Sequence, residues 1–179
     1  MPRGPSLAQR RHSLQSLLGI LKSLPNERRT ALVREWTERF AALIDPSITG
    51  MGRPLNWQEV AEMAAAGVEF GSHTVTHPNL TMVSDQELLW ELSESKRVLE
   101  QHLGHEIHTL AYPIGTRSAY DSRVIEAARR CGFGLAASYV SGTNWLSAFP
   151  TFELRRQNVG LHCTRSYFRA LVRLPSWLD

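Results

Sequence analysis

The sequence predicts an α/β protein with a parallel sheet, preceded by a helical hairpin. Three observations carry this. From residue 57 onward, segments with helical apolar spacing alternate with short apolar runs. Gly or Pro punctuates most of the junctions between them. Such alternation is the pattern of parallel strands joined by helical crossovers. A chain of 179 residues is long enough for one domain with its own core. Its 42% hydrophobic and 21% charged content is ordinary for a soluble globular protein.

The elements follow in order. Leu7, Leu14, Leu17, Leu18, Leu21 and Leu24 recur at helical spacing, which predicts an amphipathic helix over 6–23. Pro25-Asn26 breaks it. A second helix is expected over 26–43, with Leu32, Trp36, Phe40 and Leu43 on one face, stopped by Asp45-Pro46. Residues 1–46 thus read as a hairpin packed on, or inserted in, an α/β domain of residues 47–179, one domain in all. A helix over 57–66 is closed by Gly67, and a strand is expected over 68–71. Ser84-Asp85-Gln86-Glu87 has the form of a capping box and opens a long helix with Leu88, Leu89, Leu92, Val98, Leu99 and Leu103 on its apolar face, ended by Gly104. Then come a strand over 107–111, a helix over 119–130, strands over 134–140 and 154–159, and a helix over 164–172.

Charge and composition exclude several functions. A formal net charge of +3 is too small to argue for nucleic acid. No apolar run approaches the ~18 residues of a membrane span. Leu17 to Leu21 is too short and is followed by Lys22. The basic start (Arg3, Arg10, Arg11) reads as the solvated face of a helix. No signal peptide is visible, so Met1 as the true start implies a cytoplasmic protein. Cys131 and Cys163 fit no zinc or redox spacing and are expected to be buried free thiols.

The chemistry concentrates in Gly71-Ser72-His73-Thr74-Val75-Thr76-His77-Pro78. His73 and His77 stand four residues apart and can present both rings to one point. Neutral imidazole suits zinc, and two His with one carboxylate leave a position open for water. Thr74 lies between them and can hold the turn by bonding to loop backbone. The bland alternative is two unrelated surface histidines beside a Thr-rich turn. Functional residues of α/β folds gather at the carboxyl ends of strands. The histidines follow one expected strand end and Tyr112-Pro113-Ile114-Gly115 follows the next, so the two loops converge on one face.

Leu55-Asn56-Trp57, Met63 to Gly71 and His73 to Leu80, with Leu110-Ala111-Tyr112-Pro113-Ile114-Gly115 and Tyr120-Asp121, resemble the motif regions of the polysaccharide deacetylase family (carbohydrate esterase family 4, the NodB-homology domain). His73, Thr74 and His77 match its H-[ST]-x-x-H pattern, and the resemblance covers roughly residues 55 to 172. It implies an incomplete (β/α) barrel with parallel strands. The implied reaction removes N-acetyl or O-acetyl groups from an acetylated polysaccharide or oligosaccharide, with zinc or a similar divalent metal held by His73 and His77. The resemblance also assigns Tyr112, Pro113, Ile114 and Gly115 to an oxyanion and substrate loop in which a backbone N–H near Ile114 helps hold the oxyanion. His162, in the pair Leu161-His162, takes the place of the family's general acid; a plain loop histidine is the alternative.

The departures from the family pattern are specific. The family opens on a strand carrying an Asp-Asp pair, which supplies the base and a third metal ligand. The aspartates here are Asp45, Asp85, Asp121 and Asp179, and no two are adjacent. Ala111 stands where many members carry Arg, and Ile114 replaces an aromatic. Without that first strand the barrel is expected to stay open, exposing a sheet edge through which copies of the chain can associate. The rival readings are a non-catalytic pseudoenzyme or carbohydrate-binding module on the same fold, and a helical partner-binding unit formed by residues 6–43.

Overall fold

The computed structural model describes residues 4–43, 54–145, 150–161 and 163–173. The chain divides into two compact units, Met1–Pro54 and Leu55–Asp179.

The first unit holds α1 (Leu7–Ser23) and α2 (Asn26–Phe40). Ser6 caps α1 through a reciprocal box with Gln9, satisfying two amides that a helix start leaves bare. The helix expected over 26–43 ends at Phe40, and Ala41–Leu43 tighten into a single 3-10 turn. The Asp45-Pro46 stop lies outside the described residues. The apolar spacing predicted a buried stripe, yet neither helix contains a buried residue, and Leu14 and Ile20 remain exposed. Leu21, Leu24, Leu32 and Trp36 reach only partial burial.

The second unit holds α3 (Trp57–Ala65), α4 (Asp85–Leu103), β1 (Thr109–Ala111), α5 (Ser122–Arg130), β2 (Leu135–Ala137) and α6 (Arg165–Arg173). β1 and β2 run parallel, with Leu110 opposite Ala136. Ser72 bridges Leu110 on one side, and Leu154 bridges Ala137 on the other, both parallel. The sheet order is therefore Ser72, β1, β2, Leu154. No strand forms over the expected 68–71, the bridge falling just past it at Ser72, and the strand expected over 154–159 shrinks to the bridge at Leu154. The strand expected from 107 starts at Thr109, because α4 takes the backbone of Ile107: Glu100 accepts its N–H at 2.9 Å, and Lys96 donates to its carbonyl. The strand expected over 134–140 is likewise confined to Leu135–Ala137.

Leu88 and Leu92 of α4, Leu110 of β1, Val124 and Ala128 of α5, and Phe133 and Ala136 form one buried cluster. This core seats the sheet against α4 and α5. Ser84 accepts the Glu87 N–H at 3.2 Å and opens α4; Gly104, at φ 73°, closes it in the left-handed region that glycine adopts freely. The helix expected from Ala119 begins at Ser122, because Asp121 takes the cap position and accepts the Val124 N–H at 2.9 Å. Cys131 and Cys163 are free, as expected, but half-buried rather than buried. Among the described residues no helix is long and apolar enough to cross a membrane.

Candidate functional site

The site begins at Ser72. Its N–H donates to Thr109 O at 2.9 Å and its carbonyl accepts from Ala111 N at 2.8 Å, locking this residue onto β1. Its hydroxyl meets that of Ser95 in α4 at 2.7 Å, with both residues buried. Gly71 is required by contact: a Cβ there would lie 2.5 Å from Thr109 Oγ1 and 3.2 Å from the Thr109 carbonyl. No side chain fits so close to the neighbouring strand.

Past Ser72 the chain folds into a tight loop. Thr74 takes φ 67° and His77 φ 58°, both in the left-handed region. A β-branched threonine there is costly, and so is a residue preceding proline. The loop is held by its own groups. Thr74 Oγ1 accepts the His77 N–H at 3.2 Å, and the Thr74 N–H reaches Ser72 Oγ at 3.4 Å. Glu91 of α4 accepts from Val75 and Thr76.

This loop brings the two histidines together. Their ring centroids stand 4.8 Å apart, with the planes at 81°. His73 Nδ1 lies 2.7 Å from the Ala111 carbonyl oxygen. A carbonyl only accepts, so Nδ1 carries a proton, and in the neutral ring Nε2 then presents its lone pair. Orientation of one ring nitrogen by a backbone carbonyl is how ligating histidines are commonly held. His73, Thr74 and Val75 also line a cleft of about 410 Å³ with Trp57, Trp90 and Glu94.

The second loop leaves the end of β1 beside the first. Tyr112 is not placed to meet a substrate with its side chain. It is 1% exposed, stacks on Tyr120 at 4.6 Å and donates its hydroxyl to Phe152 O at 3.0 Å. Burial raises its phenol pKa well above the ordinary value. Pro113 is buried too. Ile114 follows at φ 64° and Gly115 at φ 65°. Gly115 is needed: a Cβ would sit 2.7 Å from Tyr139 N, whose N–H donates to Gly115 O. Among the described residues the Ile114 amide meets no hydrogen-bond acceptor. Thr74, His77 and Ile114 are the non-glycine residues described with positive φ, and all three belong to these two loops. Strain of this kind costs about 1–3 kcal/mol per residue and clusters at functional sites.

The remaining candidates separate. His162 lies outside the described residues, as does Asp45. His102 stacks on Trp57 at 3.8 Å, and His108 pairs with Glu106 at 3.2 Å on the surface. Asn144 ties down Arg155 by bonds to its N–H and carbonyl, both 2.9 Å, a structural role. Glu91 was missed from the sequence. Its signal was present: a carboxylate between Leu88 and Leu92, on the face of α4 that the apolar spacing assigns to the core. Imidazole is a residue type that suits a divalent cation, and the two rings lie close together. Among the described residues no third His, Cys, Asp or Glu completes a metal-holding group with them.

Comparison with known proteins bears on the family and the fold. A family model described as polysaccharide deacetylase matches residues 11–136. Among curated proteins, the chain is 25% identical over 88 residues to YxkH of Bacillus subtilis (strain 168), a protein named for the same family; the match takes in 49% of this chain and 30% of YxkH. Among solved structures, the Streptococcus pyogenes deacetylase PplD in complex with acetate superposes with a TM-score of 0.61 at 24% identity, covering 68% of this chain and 52% of that one. A polysaccharide deacetylase from Bacillus cereus gives a TM-score of 0.62 at 23% identity, over 69% of this chain and 38% of the other. The chain thus spans about half or less of each relative, and its fold is a part of their (β/α) barrel.

Proposed function

Because this chain belongs to the polysaccharide deacetylase family, we propose that its two loops form the histidine half of a metal-dependent site for acetylated carbohydrate. The observation that carries this is the 2.7 Å bond from His73 Nδ1 to the Ala111 carbonyl, which fixes the ring facing His77 and leaves its Nε2 free. His73 and His77 would hold a divalent cation, zinc by the preference of imidazole. Such a cation, when bound, lowers the pKa of its water and polarises an acyl oxygen. The chain's own contribution on the substrate side is the Ile114 N–H, a donor fixed by a strained backbone and suited to a developing oxyanion. The buried Tyr112 phenol, bonded to Phe152 O, anchors the residue from which that loop departs. Thr74 sets the turn by accepting the His77 amide.

The sequence has no adjacent aspartates to match the pair that supplies the family's base and third ligand, and Asp45 is the one aspartate upstream of His73. We therefore assign these 179 residues weak hydrolysis at most. The loss of a general base alone is worth about 10²–10⁴ in rate. The same absence favours a second reading, a protein that binds acetylated sugar without turning it over. The test is acetate release from N-acetylglucosamine oligomers with zinc or cobalt added, alongside oligomer binding by calorimetry. Slow, zinc-dependent release that His77→Ala abolishes supports the hydrolase reading. Oligomer binding with no release supports the second. Neither binding nor release overturns both.

A further inference from the structure

We propose that Glu91 is a positioning residue for the histidine pair, an inference that rests on the metal-site reading above. Glu91 is fully buried in α4. Its carboxylate faces the His loop: Oε2 accepts the N–H of Val75 at 2.7 Å and of Thr76 at 2.9 Å, and Oε1 accepts from the Thr76 hydroxyl. The clamped dipeptide Val75-Thr76 lies between the two residues in the left-handed region, Thr74 and His77. It also lies between the two imidazoles in sequence. A strained loop persists only where its surroundings over-determine it, and here one carboxylate takes up three donors at its centre.

The choice of residue argues for the loop rather than for the helix. A buried carboxylate is costly and is tolerated when hydrogen-bonded. The face of α4 that carries it also carries Leu88 and Leu92, and leucine would serve packing there as well or better. A carboxylate accepts from two adjacent amides and a hydroxyl at once, and leucine accepts from none of them. The adjacent contacts extend the clamp. Ser95, one turn on, donates to the Glu91 carbonyl and meets Ser72, the residue that launches the loop. α4 thus grips the loop at its root and at its crown, and the direction of both rings depends on the crown.

The experiment uses the full chain and three measurements: thermal melting, ring-to-ring nuclear Overhauser contacts of His73 and His77 without metal, and zinc titration by calorimetry. Glu91→Leu keeps the bulk but removes every acceptor that faces the loop. We expect it to lose the ring-to-ring contact and to bind zinc about 10–100-fold more weakly, the range for groups that orient ligands. Thr76→Val, which removes one donor and leaves the carboxylate in place, should give a smaller loss of the same kind. A folded Glu91→Leu with unchanged ring contacts and zinc affinity overturns the proposal. Should that variant not fold, Thr76→Val decides in the same way. If the unaltered chain binds no zinc, the metal reading fails, and the metal-free ring contacts still decide the role of Glu91.

Discussion

The Nδ1 of His73 sits 2.7 Å from the carbonyl oxygen of Ala111, the last residue of β1. One bond therefore ties the orientation of a loop side chain to the end of the neighbouring strand. The carbonyl's acceptor character dictates which ring nitrogen is free.

The first prediction concerns that nitrogen. His73→Ala and His77→Ala should each weaken zinc binding beyond the ~10–100-fold typical of losing a group that merely orients a ligand. Calorimetric titration of each variant checks this. Equal affinity in either variant and the unaltered chain would remove that residue from the site.

The second concerns Tyr112. Because its hydroxyl is buried on Phe152 O, Tyr112→Phe leaves a buried carbonyl without its donor. Stability should fall by about 1–3 kcal/mol, with zinc affinity unchanged. Urea unfolding and calorimetry together separate this from a substrate-contacting role.

A third follows from Gly115. An alanine there meets Tyr139 N at 2.7 Å and Tyr139 Cβ at 2.9 Å, on a backbone with φ 65°. Gly115→Ala should cost about 1–3 kcal/mol by strain alone. Gly67→Ala makes a useful control, since a Cβ there meets nothing within 4 Å although φ is +90°. It should show the backbone penalty without the clash.

The fourth is a pH dependence. The Lys96 ammonium beside Glu100, followed by the Ile107 N–H, holds the Glu100 carboxyl below its ordinary value. A depressed folded pKa contributes stability above the unfolded pKa, about 4.3, and that stability is lost as pH falls through the folded value. Glu100→Gln should therefore lower the melting temperature near pH 7, and the gap should close below about pH 4. A gap that stays constant with pH would show that the carboxylate's charge is immaterial.

Much of this was legible in the sequence because local rules decide it. Gly104 ends α4, Pro25 separates α1 from α2, and the H-x-x-x-H spacing marks a loop at the edge of the sheet. What was not legible depends on partners far along the chain. The strand expected over 68–71 is absent and that over 154–159 shrinks to a bridge, because pairing needs a neighbour that no local pattern reveals. Tyr112 reads as a loop residue until Phe152, 40 positions later, accepts its hydroxyl. Glu91 reads as solvated helix surface unless its place on the apolar spacing is weighed above its charge. The leucines of α1 predicted burial, and periodicity alone does not say what covers a stripe.

The register at Ser72 opposite Leu110 has a further consequence. Successive strand residues point to opposite faces, so a slip of one position would turn Ser72 from Ser95 and carry the histidine loop out of reach of Ala111. The anchoring of His73 on the Ala111 carbonyl therefore exists only in molecules whose chain has found its native alignment. Zinc would then act as a thermodynamic reporter of that alignment. Binding only the correctly threaded form, it would stabilise the fold by about 2.7 kcal/mol at a hundred times its dissociation constant.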